Sequence, residues 1–163
     1  MSTSRFTAFA TAVSAALLAL TACTGPDKIF DEEPVPTQTT EARAPAAAVK
    51  VADSSLGRIL VDGTGRTLYG FTKDRRGSST CDADCIAVWP ALTSTERIAA
   101  GPGTEPALLT GTKVGEGAEQ AVYGDWPLYY YVGDATPGDM NGQGLEGAWF
   151  VVGADGRLIK KPA

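Results

Sequence analysis

The chain has no histidine among its 163 residues. That removes the side chain used most often to ligate metals and to move protons near neutral pH. Basic residues are outnumbered: 14 Lys and Arg stand against 19 Asp and Glu, a formal net charge of -5, which argues against a face for nucleic acid. Long apolar runs are scarce. The one from Phe6 to Leu20 is about 15 residues, short of the roughly 20 that a spanning helix needs. Only three cysteines are present, and their positions divide them between two jobs.

Residues 1–22 read as an export leader, with Arg5 as the only charge ahead of an uncharged Phe/Ala/Val/Leu-rich run. The run ends in Leu20-Thr21-Ala22-Cys23, which resembles the lipobox of bacterial lipoproteins. Small residues ahead of the cysteine let a peptidase reach the bond, leaving Cys23 to carry a diacylglycerol thioether. Ordinary secretion with an incidental cysteine is the alternative. Diacylglycerol with an N-acyl chain would anchor firmly, because stable attachment takes two chains. The outer face of a membrane is therefore the expected location, and the membrane an expected partner through the lipid. Residues 23–52 follow as a lipid-anchored tether. Pro26, Pro34, Pro36 and Pro45, the acidic run Asp31-Glu32-Glu33 and the stretch Thr37-Gln38-Thr39-Thr40 leave little to bury, so disorder is expected. The prolines stiffen such a spacer, and its Thr/Pro content permits O-glycosylation.

Residues 53–163, roughly 110, have room for one modest core. They are organised around a stretch that occurs twice. Thr67-Leu68-Tyr69-Gly70-Phe71-Thr72-Lys73-Asp74 recurs as Pro127-Leu128-Tyr129-Tyr130-Tyr131-Val132-Gly133-Asp134. Both read Leu-Tyr-x-aromatic-x-x-Asp, and Trp89 and Trp149 each follow their tyrosine at the same distance. A fixed offset over several positions marks two copies of one supersecondary unit, about 56–92 and about 116–152, with a pseudo-twofold relation. Turn signals at Asp62-Gly63-Thr64-Gly65, Gly124-Asp125 and Gly153-Ala154-Asp155-Gly156 predict hairpins pairing 57–61 with 66–72, 120–123 with 126–132, and 149–152 with 157–160. Helical periodicity is confined to a short turn around Asp82 to Trp89, near the cysteine pair, and Thr93 to Pro106 reads as the loop between copies. The fold class is all-β or nearly so.

Strand alternation puts Tyr69 with Phe71, and Tyr129 with Tyr131, on one face, with Leu68, Gly70, Leu128 and Tyr130 on the other. Such aromatic pairs are expected in core or cross-strand packing; an exposed platform for a sugar, a peptide or a planar cofactor is the functional alternative. Asp74 and Asp134 fall where each strand ends, where an aspartate accepts backbone N–H bonds and fixes the turn. A symmetric carboxylate pair for acid–base work or a cation competes with that role. Cys81-Asp82-Ala83-Asp84-Cys85 in an exported domain predicts a disulfide. Residues four apart on a helical turn lie about 6 Å apart at Cα, within bridging range; the link would lock a bend and position Trp89-Pro90. A thiol metal or redox site is the alternative, though two thiolates with Asp82 and Asp84 supply few soft ligands. Gly138-Asp139-Met140-Asn141-Gly142-Gln143-Gly144 alternates oxygen side chains as calcium loops do, but the position of the bidentate glutamate is Phe150, which favours a Gly-rich turn. Lys73, Arg75 and Arg76 form a small basic cluster, either a solvated loop or a contact for an anionic wall polymer or headgroups.

Together these residues resemble a family of secreted-repeat bacterial lipoproteins of unknown function that carries the Tyr-x-aromatic-x-x-Asp motif. The likeness extends to Leu60-Val61-Asp62, Gly65-Arg66-Thr67-Leu68, Ser79-Thr80-Cys81, Cys85, Trp89-Pro90, Trp126-Pro127-Leu128 and Gly138-Asp139, and so covers about Leu56 to Gly156. One departure is Ala91, where the family usually has a second proline. The resemblance implies a bacterial, exported, often lipid-anchored protein with two repeats and no established activity. The function expected is a lipid-anchored extracytoplasmic binding or interaction module for a cell-wall component, a small molecule or another exported protein. Neither a cofactor nor a catalytic residue is called for. A metal-handling or electron-transfer lipoprotein using the cysteine pair and the Tyr/Trp faces is the alternative, and a hydrolase using Asp74 and Asp134 is third.

Overall fold

A computed structural model describes residues 47–162 apart from Glu116. The leader, Cys23 and the tether as far as residue 46 lie outside the described residues. The first strand, β1 (Ala48–Ser54), starts before the boundary expected at 53. Val49 and Val51 alternate with Ala48 and Lys50, and Val49 is fully buried, so the folded part begins at least as early as residue 48. The short alternation was masked by the Ala/Pro-rich stretch that precedes it.

The turn after Ser54 uses Gly57 at φ 103°, open to glycine and strained for other residues. It leads into β2 (Gly57–Asp62), which pairs antiparallel with β1 from Ser54↔Gly57 to Val49↔Asp62. The second copy repeats this hairpin as β6 (Leu109–Val114) and β7 (Ala118–Tyr123). Each structural copy therefore begins earlier than the 56 and 116 expected. The tight turn at Asp62–Gly65 forms, with Asp62 N donating to Arg66 O at 2.8 Å. Its ladder ends, however, at the bridge Val61↔Thr67. The motif strand β3 (Tyr69–Phe71) instead pairs with β9 (Trp149–Val151) of the other copy. In copy two, β8 (Trp126–Pro127) pairs with β7 for two residues, and the chain then crosses to bridge Tyr129 with Tyr69 and with Ala91. The hairpins expected over 57–72 and 120–132 are realised only at their tips. The hairpin over 149–160 is present, with Val152↔Leu158 and Ile159 N donating to Val151 O at 3.0 Å.

Two three-way junctions make the exchange obligatory. Leu68 N donates to Leu60 O (3.0 Å), Leu60 N to Val152 O (2.8 Å) and Val152 N to Leu68 O (3.2 Å). The counterpart ring runs from Leu128 N to Ala121 O (2.9 Å), Ala121 N to Leu92 O (2.8 Å) and Leu92 N to Leu128 O (2.9 Å). Each ring takes two residues from one copy and one from the other, and all six side chains share one buried cluster. On the opposite side lies a second cluster, holding Ile59, Val61, Tyr69, Phe71, Trp89, Tyr129, Trp149 and Val151. Alternation along the motif strands thus feeds two cores. The remaining elements are a short helix, α1 (Ala83–Val88), two 3-10 turns at Pro106–Leu108 and Leu145–Gly147, and two short strands, β4 (Thr93–Ser94) on β7 and β5 (Ala99–Ala100) parallel on β1. The architecture is all-β with tandem copies, as the sequence implied.

Because each copy's tryptophan strand completes the other's sheet, the two halves should be unstable apart. Fragments 47–104 and 105–162, expressed separately, are expected to lack a cooperative monomeric melt, and mixing them is expected to restore one. A cooperative monomeric transition in either fragment alone, by circular dichroism and sedimentation, would contradict the exchange.

Candidate functional site

The motif builds a symmetric constellation at the meeting point of the copies. Tyr69 and Tyr129 form an antiparallel bonded pair: Tyr69 N donates to Tyr129 O at 2.9 Å and Tyr129 N to Tyr69 O at 3.0 Å. Two residues on, each strand enters a tight turn, closed by Asp74 N to Phe71 O (3.0 Å) and Asp134 N to Tyr131 O (3.1 Å). A four-residue turn of this kind brings its last residue back beside the strand. The hydroxyls then cross over. Tyr69 OH donates to Asp134 Oδ2 at 2.7 Å, and Tyr129 OH donates to Asp74 Oδ2 at 2.7 Å. The other carboxylate oxygens hold the following loops: Thr80 N donates to Asp74 Oδ1 at 2.7 Å, and Asn141 N to Asp134 Oδ1 at 2.9 Å.

On the same face the aromatic rings stack in one column, Phe71–Trp149–Trp89–Tyr131. The centroids are 4.2, 3.9 and 4.5 Å apart, and the two tryptophans lie within 2° of parallel. Tyr69 and Tyr129 meet Trp89 and Trp149 edge-on at 5.4 and 5.2 Å. Edge-to-face and stacked contacts each add about 0.5–1.5 kcal/mol beyond area burial. Phe71 is capped by Lys73, whose Nζ lies 5.6 Å from the ring centre. Tyr131, half-buried, is covered instead by the backbone of Gly133, where any Cβ would run into the ring. The column therefore belongs to the core, with Tyr131 its most exposed ring.

Burial pushes the Tyr69 phenol up, and the Asp134 carboxylate adds to the effect. Burial likewise raises Tyr129, opposed by Ser79 and reinforced by Asp74. Both hydroxyls therefore remain neutral donors. Burial also raises Asp134, against the Tyr69 hydroxyl and the Asn141 N–H that favour its charged form. Asp139 is shifted down, mainly by the Thr136 N–H and then by its hydroxyl.

The two copies support their aspartates by different means. In copy one, Cys81 and Cys85 are joined in a disulfide with Cα atoms 5.3 Å apart, and Asp82 caps the turn by accepting Cys85 N at 3.0 Å. Oxidised, the pair offers no thiolate for a metal. In copy two the Gly138–Gly144 loop serves. Asp139 accepts Ala135 N and Thr136 N, each at 2.9 Å, and Gln143 Nε2 donates to Ile159 O at 2.6 Å. Gly142 sits where a Cβ would lie 2.8 Å from Trp89 and 2.9 Å from Tyr69, so the loop can close over the tyrosine only with glycine. Two of the side chains read as a calcium-like pattern have their oxygens engaged by the protein: Asp139 by Ala135 and Thr136, and Gln143 Oε1 by Val151 N at 2.8 Å. Of the basic cluster, Arg76 makes a 3.6 Å exposed pair with Asp125.

One further group was absent from the sequence reading. Asp62 is buried; its Oδ1 accepts Thr64 N (2.8 Å), Thr64 Oγ1 (2.7 Å) and Arg66 N (2.9 Å). Its Oδ2 accepts Tyr130 OH at 3.1 Å, and Arg66 lies over the Tyr130 ring at 4.3 Å. The Asp-Gly turn was its only signal, and nothing local pointed to Tyr130.

Removing one member of a crossed pair leaves a buried partner (Asp134) or a half-buried one (Asp74) unsatisfied, at about 1–3 kcal/mol for a buried group. Tyr69→Phe and Tyr129→Phe should each lower Tm by several degrees, since 1 kcal/mol is worth about 4–8 °C in a domain of this size. Asp134→Asn should be milder than Asp134→Ala, because the amide oxygen still accepts. Tyr69→Phe with Asp134→Asn should cost less than the sum of the two single changes, and additivity in thermal melts would contradict the bond. The pH dependence has a definite sign. The folded state raises the Asp134 pKa, so its contribution is fully present below the unfolded carboxylate value and fades as pH rises through the folded one. The Tm of the wild type relative to Asp134→Asn should therefore increase as pH falls from neutral into the carboxylate range; a decrease would contradict the shift.

Comparison with known proteins supplies a family. The family model described as a secreted repeat of unknown function matches twice, at residues 50–93 and 112–153. These matches cover both hairpins' inner strands, both motifs and both tryptophans. No curated protein and no solved structure matches the chain. Among the described residues, no helix is long and apolar enough to cross a membrane. Two copies fused by exchanged strands, each matched by one family model, make this chain a member of the family of secreted repeats of unknown function, and so an extracytoplasmic protein.

Proposed function

We propose that the chain is a lipid-anchored binding module that works on the outer face of a membrane. One observation carries the binding half of this reading. The motif's tyrosines and aspartates bond one another across the copies, so its polar groups hold the fold and recognition falls to the surface around it. Asp74 and Asp134 are committed to hydroxyl and amide donors, which leaves neither poised as a nucleophile or free general base. The anchor half is supported by Leu20-Thr21-Ala22-Cys23 behind a short apolar run. A cell-wall component or another exported protein suits such a tethered domain.

Two measurements test the halves separately. Cys23→Ala should move the protein out of the membrane fraction into a precursor or soluble form, whereas unchanged association after a carbonate wash would overturn the anchor. A pull-down from host envelope with the full chain should retain a saturable partner, and an empty pull-down across detergents and salt would overturn binding.

A further inference from the structure

We infer that the outer edge of β6 is a docking site for an extended, uncharged peptide segment of small residues from another polypeptide, added as a parallel strand. This deepens the binding reading above and rests on it. The pseudo-twofold matches β6 to β1, and β1 shows what its own edge carries. There Gly101 N donates to Val49 O at 2.7 Å, Val51 N donates to Pro102 O at 3.0 Å, and Ala99 N donates to Ala47 O at 3.2 Å. Ala99-Ala100-Gly101-Pro102 thus lies along β1 in parallel.

The equivalents on β6 follow from the register. Val49 faces Asp62 and Val51 faces Leu60; Leu109 faces Tyr123 and Gly111 faces Ala121. Leu60 and Ala121 hold the same place in the two junctions. Ala121 gives its N–H to Leu92 and accepts Leu128 N at its carbonyl. In an antiparallel ladder such a residue makes no bond to the one opposite. The N–H of Gly111 therefore points outward and, two residues back, so does the carbonyl of Leu109. Among the described residues β6 pairs with β7 alone, so this edge lacks the strand that its counterpart has.

A groove adjoins β6. Two adjoining cavities of about 220 and 300 Å³ share Arg97, Ile98 and Leu109, and the first is also lined by Thr110, Gly111 and Glu119. An unpaired edge is a template for another chain; in strand addition the main chain supplies affinity and side-chain pockets supply selectivity. Edges are often guarded by charge, but Leu109-Thr110-Gly111-Thr112 has none, and Lys113 stands at the far end. Arg97 and Glu119 on the walls have opposite signs, which favours a segment without net charge. Small residues follow from the β1 edge, where a Cβ on Gly101 would lie 3.0 Å from both Lys50 Cβ and Val49 O. Thr110 occupies the place of Lys50 and imposes the same limit.

The probe is a synthetic peptide with the sequence of residues 98–103, added to the full, isotope-labelled chain. Saturating peptide should slow exchange of the Gly111 amide at least tenfold. Methylating the peptide nitrogen that corresponds to Gly101, which removes the donor to Leu109 O, should weaken binding about tenfold, the value of one lost bond of about 1.4 kcal/mol. No protection of Gly111 at millimolar peptide, or equal binding by the methylated peptide, would overturn the inference. So would prior protection of Gly111 without peptide: concentration-dependent protection would assign the edge to a second copy, and concentration-independent protection to the chain's own N-terminal segment. A failed peptide beside a positive envelope pull-down would remove this edge alone, whereas an empty pull-down would remove the binding reading itself.

Discussion

Tyr69 and Tyr129 exchange two backbone hydrogen bonds across the pseudo-twofold, and each sends its hydroxyl into the other copy's aspartate. The motif's spacing follows from this arrangement. An aromatic residue two positions on shares the tyrosine's face and so enters the ring column beside a tryptophan. The aspartate closes a turn that starts at that aromatic residue, so it returns beside the partner tyrosine. Shortening the interval by one residue would point the aromatic ring into the opposite core, and lengthening the turn would withdraw the carboxylate. The interval to the tryptophan is constrained more loosely, because a loop intervenes. It is nonetheless equal in the two copies, since Trp89 and Trp149 must arrive together to stack at 3.9 Å.

Symmetry at the centre is maintained by unlike surroundings. Copy one fixes the loop behind Asp74 with a disulfide-closed turn, while copy two fixes the loop behind Asp134 with Asp139, Gln143 and a glycine too close to Trp89 for any side chain. The constraint acts on the product, a backbone N–H aimed at Oδ1, and leaves the means free. A disulfide spanning four residues closes a loop too short for much entropic gain. Its contribution is therefore local: it holds Thr80 to Asp74 and leads the chain into Trp89. The position equivalent to Tyr130 in copy one differs in the same way. Gly70 occupies it because Trp126 and Leu158 already fill the space a side chain would need, whereas Tyr130 reaches Asp62.

Local pattern carried much of this, and its limits have a physical cause. The duplicated motif, the alternation of faces, the cysteine pair and the all-β class all depend on neighbours along the chain, so the sequence showed them. Partner choice was not visible. A strand with turn signals on both sides looks the same whether it folds back on its own copy or crosses to the other, and that is why the hairpins over 57–72 and 120–132 were expected to be longer than they are. The tyrosine that each aspartate accepts lies in the other copy, at a separation no local rule spans. Strand β1 was hidden for another reason: four alternating residues behind an Ala/Pro-rich stretch do not stand out by composition, although Val49 is fully buried.

A symmetric core built from both copies also limits where activity can reside. Each motif residue has a counterpart doing the same job, and substituting either disturbs an interface that both copies need. A buried tryptophan truncated to alanine typically costs about 3–5 kcal/mol, a large share of the roughly 5–15 kcal/mol that holds a domain together. Folding by itself is therefore sufficient to hold the motif in place. Features free to vary with a ligand must lie where the copies differ. Two such differences stand out: the segment that covers the edge of β1 but has no equivalent on β6 among the described residues, and the column of rings that ends under Lys73 at one side and beneath a glycine backbone at the other. Of these only the β6 edge presents unpaired backbone groups beside a groove. On the binding role proposed above, recognition would follow from broken symmetry: the duplicated parts make the scaffold, and the unduplicated strand position leaves the opening.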